Sequence, residues 1–500
     1  MTRTNKPADA GVLRRALTTP KIVFLVVAAA APAAAMVGTV PLAFAIGDGV
    51  AVPAAFAFAG LTLLCFSVGY AAMSRWVVNT GGFYTYLARG LGRPPAVGGA
   101  FIAVISYSAV TIGLVGAFGY FAQLIAAAHG LSLPWPVWAG VAIVALGLLG
   151  YHEIEFSARL LAVLMLAEVA ILVVLDVAIV AGRGASALPA QSFSPHAFLA
   201  PGLGVALMFA FMSFIGFESA ALYGEEAREP RRSVPLATYA SVVLIALFYT
   251  ATSWAAVGGV GPDRLVGTAQ QELGNLFFSL SDQYVNRFAT ETMQVLVCTS
   301  LFAATLALHN GASRYLFALG RERVLPATLG GVHRRHGTPY RASLAQTVLT
   351  VVVVAGFALA GLDPYVNLST SMVGLGTLGI VVLQGAAALS VVGFFRRRPD
   401  RHWWRTLLAP LLGLAGLTAA VVLLVANFSL VTGTRAAVVN LLPWTLVLAA
   451  VGGIGYAWWL RRNRPDRYAA LAATASPDDT SDAEASEPAT SGRVPASARW

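Results

Sequence analysis

The chain is 500 residues long, 57% hydrophobic and only 11% charged, with a mean hydropathy of +0.72. That balance excludes a string of soluble domains and points to an all-α integral membrane protein whose apolar surroundings are the lipid bilayer. The net charge of +10 is carried by short basic clusters between apolar runs, with no continuous basic face or base-stacking aromatics, so nucleic acid is excluded as a partner.

Apolar runs of about 17 to 30 residues, enough to cross a bilayer, fall near 22–46, 54–75, 96–128, 135–150, 156–182 and 198–223. Six more follow near 234–260, 291–320, 341–362, 366–395, 403–426 and 436–460, which predicts twelve spans. With a cytoplasmic N-terminus, 29 of the 33 Lys and Arg residues fall in inside segments, and only Arg183, Arg264, Arg287 and Arg435 outside. Positive charge near span ends sets orientation, so a multi-pass plasma-membrane protein with both termini cytoplasmic is expected. Basic residues before the first run imitate a cleaved signal, but losing that run would leave an odd span count and reverse the tally.

Residues 1–21 read as a cytoplasmic tail. The first span holds Pro32, Gly38 and Pro41, so regular helix is expected to fail through Met36–Pro41. Cys65, in the second run, and Cys298, in the eighth, offer neither a disulfide framework nor Cys/His metal spacing, and nothing in the chain calls for a cofactor. The loop after the second span, Asn79 to Arg89, predicts a glycine turn opening a short interfacial helix, read equally as a gate element or as aromatic anchors at the headgroups.

Glu168 lies mid-span in the fifth run, where an unpaired ionised acid would cost at least ~2.5 kcal/mol, so it is neutral, paired or facing water. It reads equally as a proton carrier and as a packing acid bonded to a nearby hydroxyl. The sixth span is interrupted at Ser213, Gly216 and Glu218. Lipid cannot satisfy free backbone groups, so a break at membrane depth marks a cavity whose half-helix ends suit a small charged solute. Glu218, directly after the break, is expected to bond the freed backbone donors, with a gating role second.

The first and sixth spans are the positions where a transporter of two inverted five-helix repeats carries its discontinuous helices. The eighth span ends in a polar stretch from His309 and Asn310 to Pro326, which should face protein or water. His309 is expected to be a hydrogen-bonded interior histidine, with titration near neutral pH the other reading. Residues 461–500 turn rich in small, polar and acidic residues and predict a disordered cytoplasmic tail.

Three stretches carry a family resemblance. Gly216-Phe217-Glu218, followed by Gly224-Glu225-Glu226-Ala227-Arg228 and Pro230-Arg231-Arg232-Ser233-Val234-Pro235, resembles the sixth-span motif and following loop of the amino acid–polyamine–organocation superfamily of secondary transporters. Gly81-Gly82 with Tyr84 and Tyr86 is similar to that family's loop after span two, and Asn310 through Pro326 to its eighth-span end.

The resemblance implies a leucine-transporter-like fold: a ten-helix inverted-repeat core over 22–395, with first and sixth helices discontinuous, and two peripheral spans over 396–460. It also implies a substrate held between the two broken helices. Carried over by position, Met36, Val37, Gly38 and Thr39 would meet a solute carboxylate, and Phe211, Ser213, Phe214 and Gly216 its amine and side chain. Phe217 would cap it. The chain departs from the family at Gly38-Thr39-Val40-Pro41, where members often carry two glycines, so an amine or other cation stays open as the substrate.

The family's sodium site commonly uses hydroxyls of the eighth span, but Ala304 to Leu308 offers one hydroxyl and no adjacent pair. Hard cations want several oxygens, which favours protons as the coupling ion. Arg159 could supply a fixed charge where members hold sodium; an ordinary interfacial arginine is the favoured account. The expected function is secondary active uptake of an amino acid by alternating access, the alternative being a polyamine or other organic cation. A channel would want a water-lined polar ring, and an enzyme a nucleophile–base set or metal ligands; neither pattern is present.

Overall fold

The computed structural model describes residues 17–47, 49–77, 82–152, 158–195, 202–223, 226–333, 338–396, 398–434 and 436–471. Among these residues the regular elements are helical, and eleven segments are long and apolar enough to cross a membrane. The shorter apolar helix Trp135–Tyr151 takes the fourth place, so the twelve predicted spans appear in the expected order.

The third span, Arg93–Ala128, is largely enclosed and packs against the eighth, Arg287–Arg321, and the tenth, Pro364–Phe395. Small residues let these backbones approach, since close van der Waals packing holds helices together in lipid. A Cβ built on Gly376 of the tenth span would stand 2.7 Å from the Ser106 carbonyl oxygen of the third. The second span, Val52–Ser74, meets the eleventh, Ala409–Ala426, through a similar seam. There a Cβ on Gly413 would lie 2.7 Å from the Phe66 nitrogen, one on Gly416 would lie 2.5 Å from Thr62 Cγ2, and one on Gly69 would lie 2.4 Å from Pro410 Cγ.

Two spans are divided. The first consists of Thr19–Ala29 and Pro32–Ile46, and the sixth of Leu203–Ser213 and a 3-10 turn at Phe217–Tyr223. The first break therefore falls at Ala30–Ala31, not at Met36–Pro41 as the glycine and prolines there suggest. Proline disfavours right-handed helix in the residue before it, and Ala31, before Pro32, sits in the left-handed region at φ 48°. Helix continues through Pro41, where the Tyr365 hydroxyl enters from the tenth span and donates to the Gly38 carbonyl at 2.9 Å.

The short helix after the second span forms at Gly82–Gly90. Its aromatics are buried and do not make a headgroup belt. Tyr86 stacks on Tyr70 with centroids 4.6 Å apart, and the Tyr84 hydroxyl donates to Glu322 Oε2 at 2.5 Å, beyond the end of the eighth span. At the same face Leu17 pairs with the strand-like segment at Ala227, with Leu17 N–H donating to the Glu226 carbonyl at 3.0 Å. The predicted disordered tail is ordered as far as Leu471: Pro465–Ala470 is helical, and Arg93 Nε donates to the Leu471 carbonyl at 3.0 Å. Residues 472–500 lie outside the described residues.

Candidate functional site

The two breaks face each other. Gly216 has φ +108°, and a Cβ built on it would stand 2.8 Å from the Ala29 carbonyl oxygen, so glycine is what lets the sixth span close onto the first. Glu218, 3% exposed, folds back so that Oε2 accepts from the Gly216 N–H at 3.0 Å while Oε1 accepts from the Tyr107 hydroxyl at 3.2 Å. The acid thus holds the freed donor at the break, the geometry expected from its position after the glycine.

At the first break the half-helix from Pro32 opens with free N–H groups. Pro32 has none to leave unpaired, Ala33 N–H donates to Glu168 Oε2 at 3.3 Å, and Ala34 N–H to Ser300 Oγ at 3.4 Å. The Ser300 hydroxyl in turn donates to Glu168 Oε2 at 2.7 Å. From the seventh span, Tyr249 donates to the Ala30 carbonyl at 3.1 Å. Side chains of the fifth, seventh and eighth spans therefore converge on three backbone groups at the break of the first.

Beside the breaks lies a cavity of about 70 Å³, space for roughly five waters. The first span contributes Ala29, Ala30, Ala31, Ala34, Ala35, Gly38, Thr39 and Leu42, and the sixth contributes Phe209, Met212, Ser213 and Ile215. Leu114, Leu301, Ala304 and Val373 add apolar surface from the third, eighth and tenth spans. Ser369 and Thr370 add hydroxyls, and among the described residues no charged side chain lines the cavity.

Of the predicted substrate residues, Gly38, Thr39 and Ser213 line this cavity. Phe211, Phe214, Gly216 and Phe217 of the sixth span do not, nor do Met36 and Val37, for which the first break lies six residues earlier than expected and turns a different face inward. Met36 and Val37 are fully buried in helix packing. Phe214 packs 5.7 Å from Tyr249, and Phe217 meets Phe66 edge to face at 6.1 Å, outside the lining of this cavity.

His309 bonds Ser343 of the ninth span at 3.0 Å and is buried away from the cavity, while Asn310 is half-buried one residue further on. The side chain of Arg159 lies outside the described residues. Sequence reasoning missed Ser300, Tyr249 and Tyr107. Ser300 stands four residues before the stretch inspected for hydroxyls, and Pro32 was the signal that could have moved the register.

These features define a polytopic carrier with two broken helices around a small site. The crystal structure of MhsT in complex with L-phenylalanine is similar, with a TM-score of 0.57, 15% identity and coverage of 84% of this chain and 100% of that one, so the chain has the leucine-transporter-like fold. Residues 17–453 match the amino acid permease family, and the chain belongs to it, which makes it a transporter and not an enzyme.

An uncharacterized transporter of Mycobacterium tuberculosis is 29% identical over 383 residues, covering 75% of this chain and 78% of that protein. The branched-chain amino acid permease of Bacillus subtilis is 25% identical over 362 residues, covering 69% and 74%.

Proposed function

We propose that the chain carries a zwitterionic amino acid with a small aliphatic side chain into the cell by alternating access, driven by protons. The observation that carries this reading is the cavity at the two breaks: small, apolar and without a charged lining residue. A polyamine would need an acid in that lining, whereas Glu168 and Glu218 are both turned onto backbone donors. The branched-chain amino acid permease among the relatives supports the same substrate class.

Glu168 is our assignment for the proton-carrying group. Protonation removes the charge that holds Ala33 and Ser300, and so frees the start of the half-helix to move. The charge tally supports both termini in the cytoplasm and the arginine-rich face inside. We assign residues 22–395 to the transport core, with the last two spans peripheral.

Uptake by the purified protein in proteoliposomes tests this. Leucine, isoleucine or valine should accumulate under an imposed pH gradient and not under a sodium gradient alone. Accumulation of putrescine in preference to these amino acids would overturn the substrate class, and a strict sodium requirement would overturn the coupling.

A further inference from the structure

On the arginine-rich face, away from the substrate cavity, a cleft of about 510 Å³ opens where the second and tenth spans end and the seventh and eleventh begin. Three different spans bring an arginine to it: Arg75 caps the end of the second, Arg231 lies at the start of the seventh, Pro230–Val260, and Arg405 in the π-helical turn Trp403–Leu408 that leads into the eleventh. The single acid in its lining is Asp400. Among the described residues none of the three guanidinium groups is ion-paired with a carboxylate, so the cleft holds a surplus of unneutralised positive charge. His402 also lines it, but its Nδ1 already accepts from the Trp404 and Arg405 N–H groups at 3.2 and 3.3 Å and serves the helix start.

We propose that this cleft binds the phosphoryl group of an anionic phospholipid. Guanidinium groups match phosphate oxygens as paired donors, and converging arginines from separate helices fit one tetrahedral anion better than one helix could. Basic pockets between helix ends on one membrane face recognise anionic headgroups by this chemistry.

The same phosphoryl group could arrive on a soluble phosphate, but the surroundings favour lipid. Trp76 lines the cleft, with Arg398 4.9 Å over its ring, and Trp403, 66% exposed, stands beside it, as side chains at the headgroup level do. Further along the seventh and eleventh spans, exposed Leu236 and Leu412 offer apolar surface of the kind acyl chains cover.

A lipid bound there would tie together the second, seventh and eleventh spans. The seventh carries Tyr249, which holds the Ala30 carbonyl at the first break, so occupancy would reach the transport site through one helix. The site stands apart from the amino-acid reading, and its test does not use uptake.

The full-length protein, delipidated in detergent, is titrated with phosphatidylglycerol, phosphatidylcholine and inorganic phosphate, and followed by thermal shift and native mass spectrometry. Phosphatidylglycerol should raise the melting temperature and be retained, while phosphatidylcholine should not. The triple variant Arg75→Gln, Arg231→Gln, Arg405→Gln should weaken that retention by about a hundredfold. Arg287→Gln at the opposite face should leave it unchanged. If the triple variant elutes as a folded monodisperse species yet retains phosphatidylglycerol like the parent, the site is wrong. The single variant Arg405→Gln, with about a fivefold loss expected, carries the same decision if the triple variant does not fold. A shift produced by inorganic phosphate and not by the lipid would keep the phosphoryl site and overturn its lipid source.

Discussion

Glu168 and Ser300, 132 positions apart in the chain, meet at 2.7 Å directly over the first turn of the half-helix that begins at Pro32. Replacing Glu168 by glutamine keeps an oxygen acceptor for Ala33 and Ser300 but removes the ionisable group. The variant should fold and exchange amino acid across the membrane in the absence of a gradient, while pH-driven accumulation falls to the exchange level. Counterflow and gradient-driven uptake, measured on the same vesicles, separate the two. Accumulation equal to the parent's would remove Glu168 from coupling.

Ser300→Ala deletes both the acceptor for Ala34 and the donor to Glu168. Leaving a buried amide unpaired costs on the order of 1–3 kcal/mol, so a lowered melting temperature is expected. Unchanged melting would mean that the cap contributes nothing to stability.

At the closure of the two breaks, Gly216→Ala would place a methyl group 2.8 Å from the Ala29 carbonyl and force φ +108° on an L-residue. A loss on the order of 1–3 kcal/mol is expected, with transport lost alongside. The mirror experiment is Ala31→Gly, which relieves a left-handed alanine at φ 48° and should be neutral or stabilising. Thermal denaturation of both variants checks the pair; the opposite order would contradict the account of the breaks.

Tyr107→Phe takes one hydrogen bond from Glu218 and leaves the bond to Gly216 intact. A stability loss of roughly 0.5–1.5 kcal/mol is expected, smaller than that of Glu218→Ala, which also strips the Gly216 donor of its partner. Equal losses in the two variants would show that Glu218 does not hold the break.

The cavity size should set substrate preference. Ala304→Leu pushes extra bulk into the lining from the eighth span, and one methylene's worth of misfit in an apolar site is worth about tenfold or more in discrimination. The KM for leucine should rise well above the KM for alanine. A parallel rise for both would place the substrate elsewhere.

Span number, order and type were legible because membrane thickness imposes a length that composition alone reveals. Gly216 and Glu218 were legible too, since a glycine followed by an acid in an apolar run has few other uses. The first break was not. Gly38 and Pro41 are strong local signals for broken helix, yet helix continues through both, while the interruption sits in a run of alanines whose own preference is helical. What places it there is Pro32 acting on Ala31, together with partners from the fifth, seventh and eighth spans that no local window contains. The same shift in register turned Met36 and Val37 away from the cavity and left Gly38 and Thr39 on it.

The glycine seam between the second and eleventh spans has a practical consequence. Gly69, Gly413 and Gly416 bring the two helices so close that a Cβ added at any of the three would meet the other within 2.7 Å. The outer flank of the eleventh span faces lipid at Val422 and Val425, where a spectroscopic label can be attached without touching the transport pathway. A label there would report the tilt of the enclosed second span through a rigid lever, giving a view of the working cycle from the membrane side.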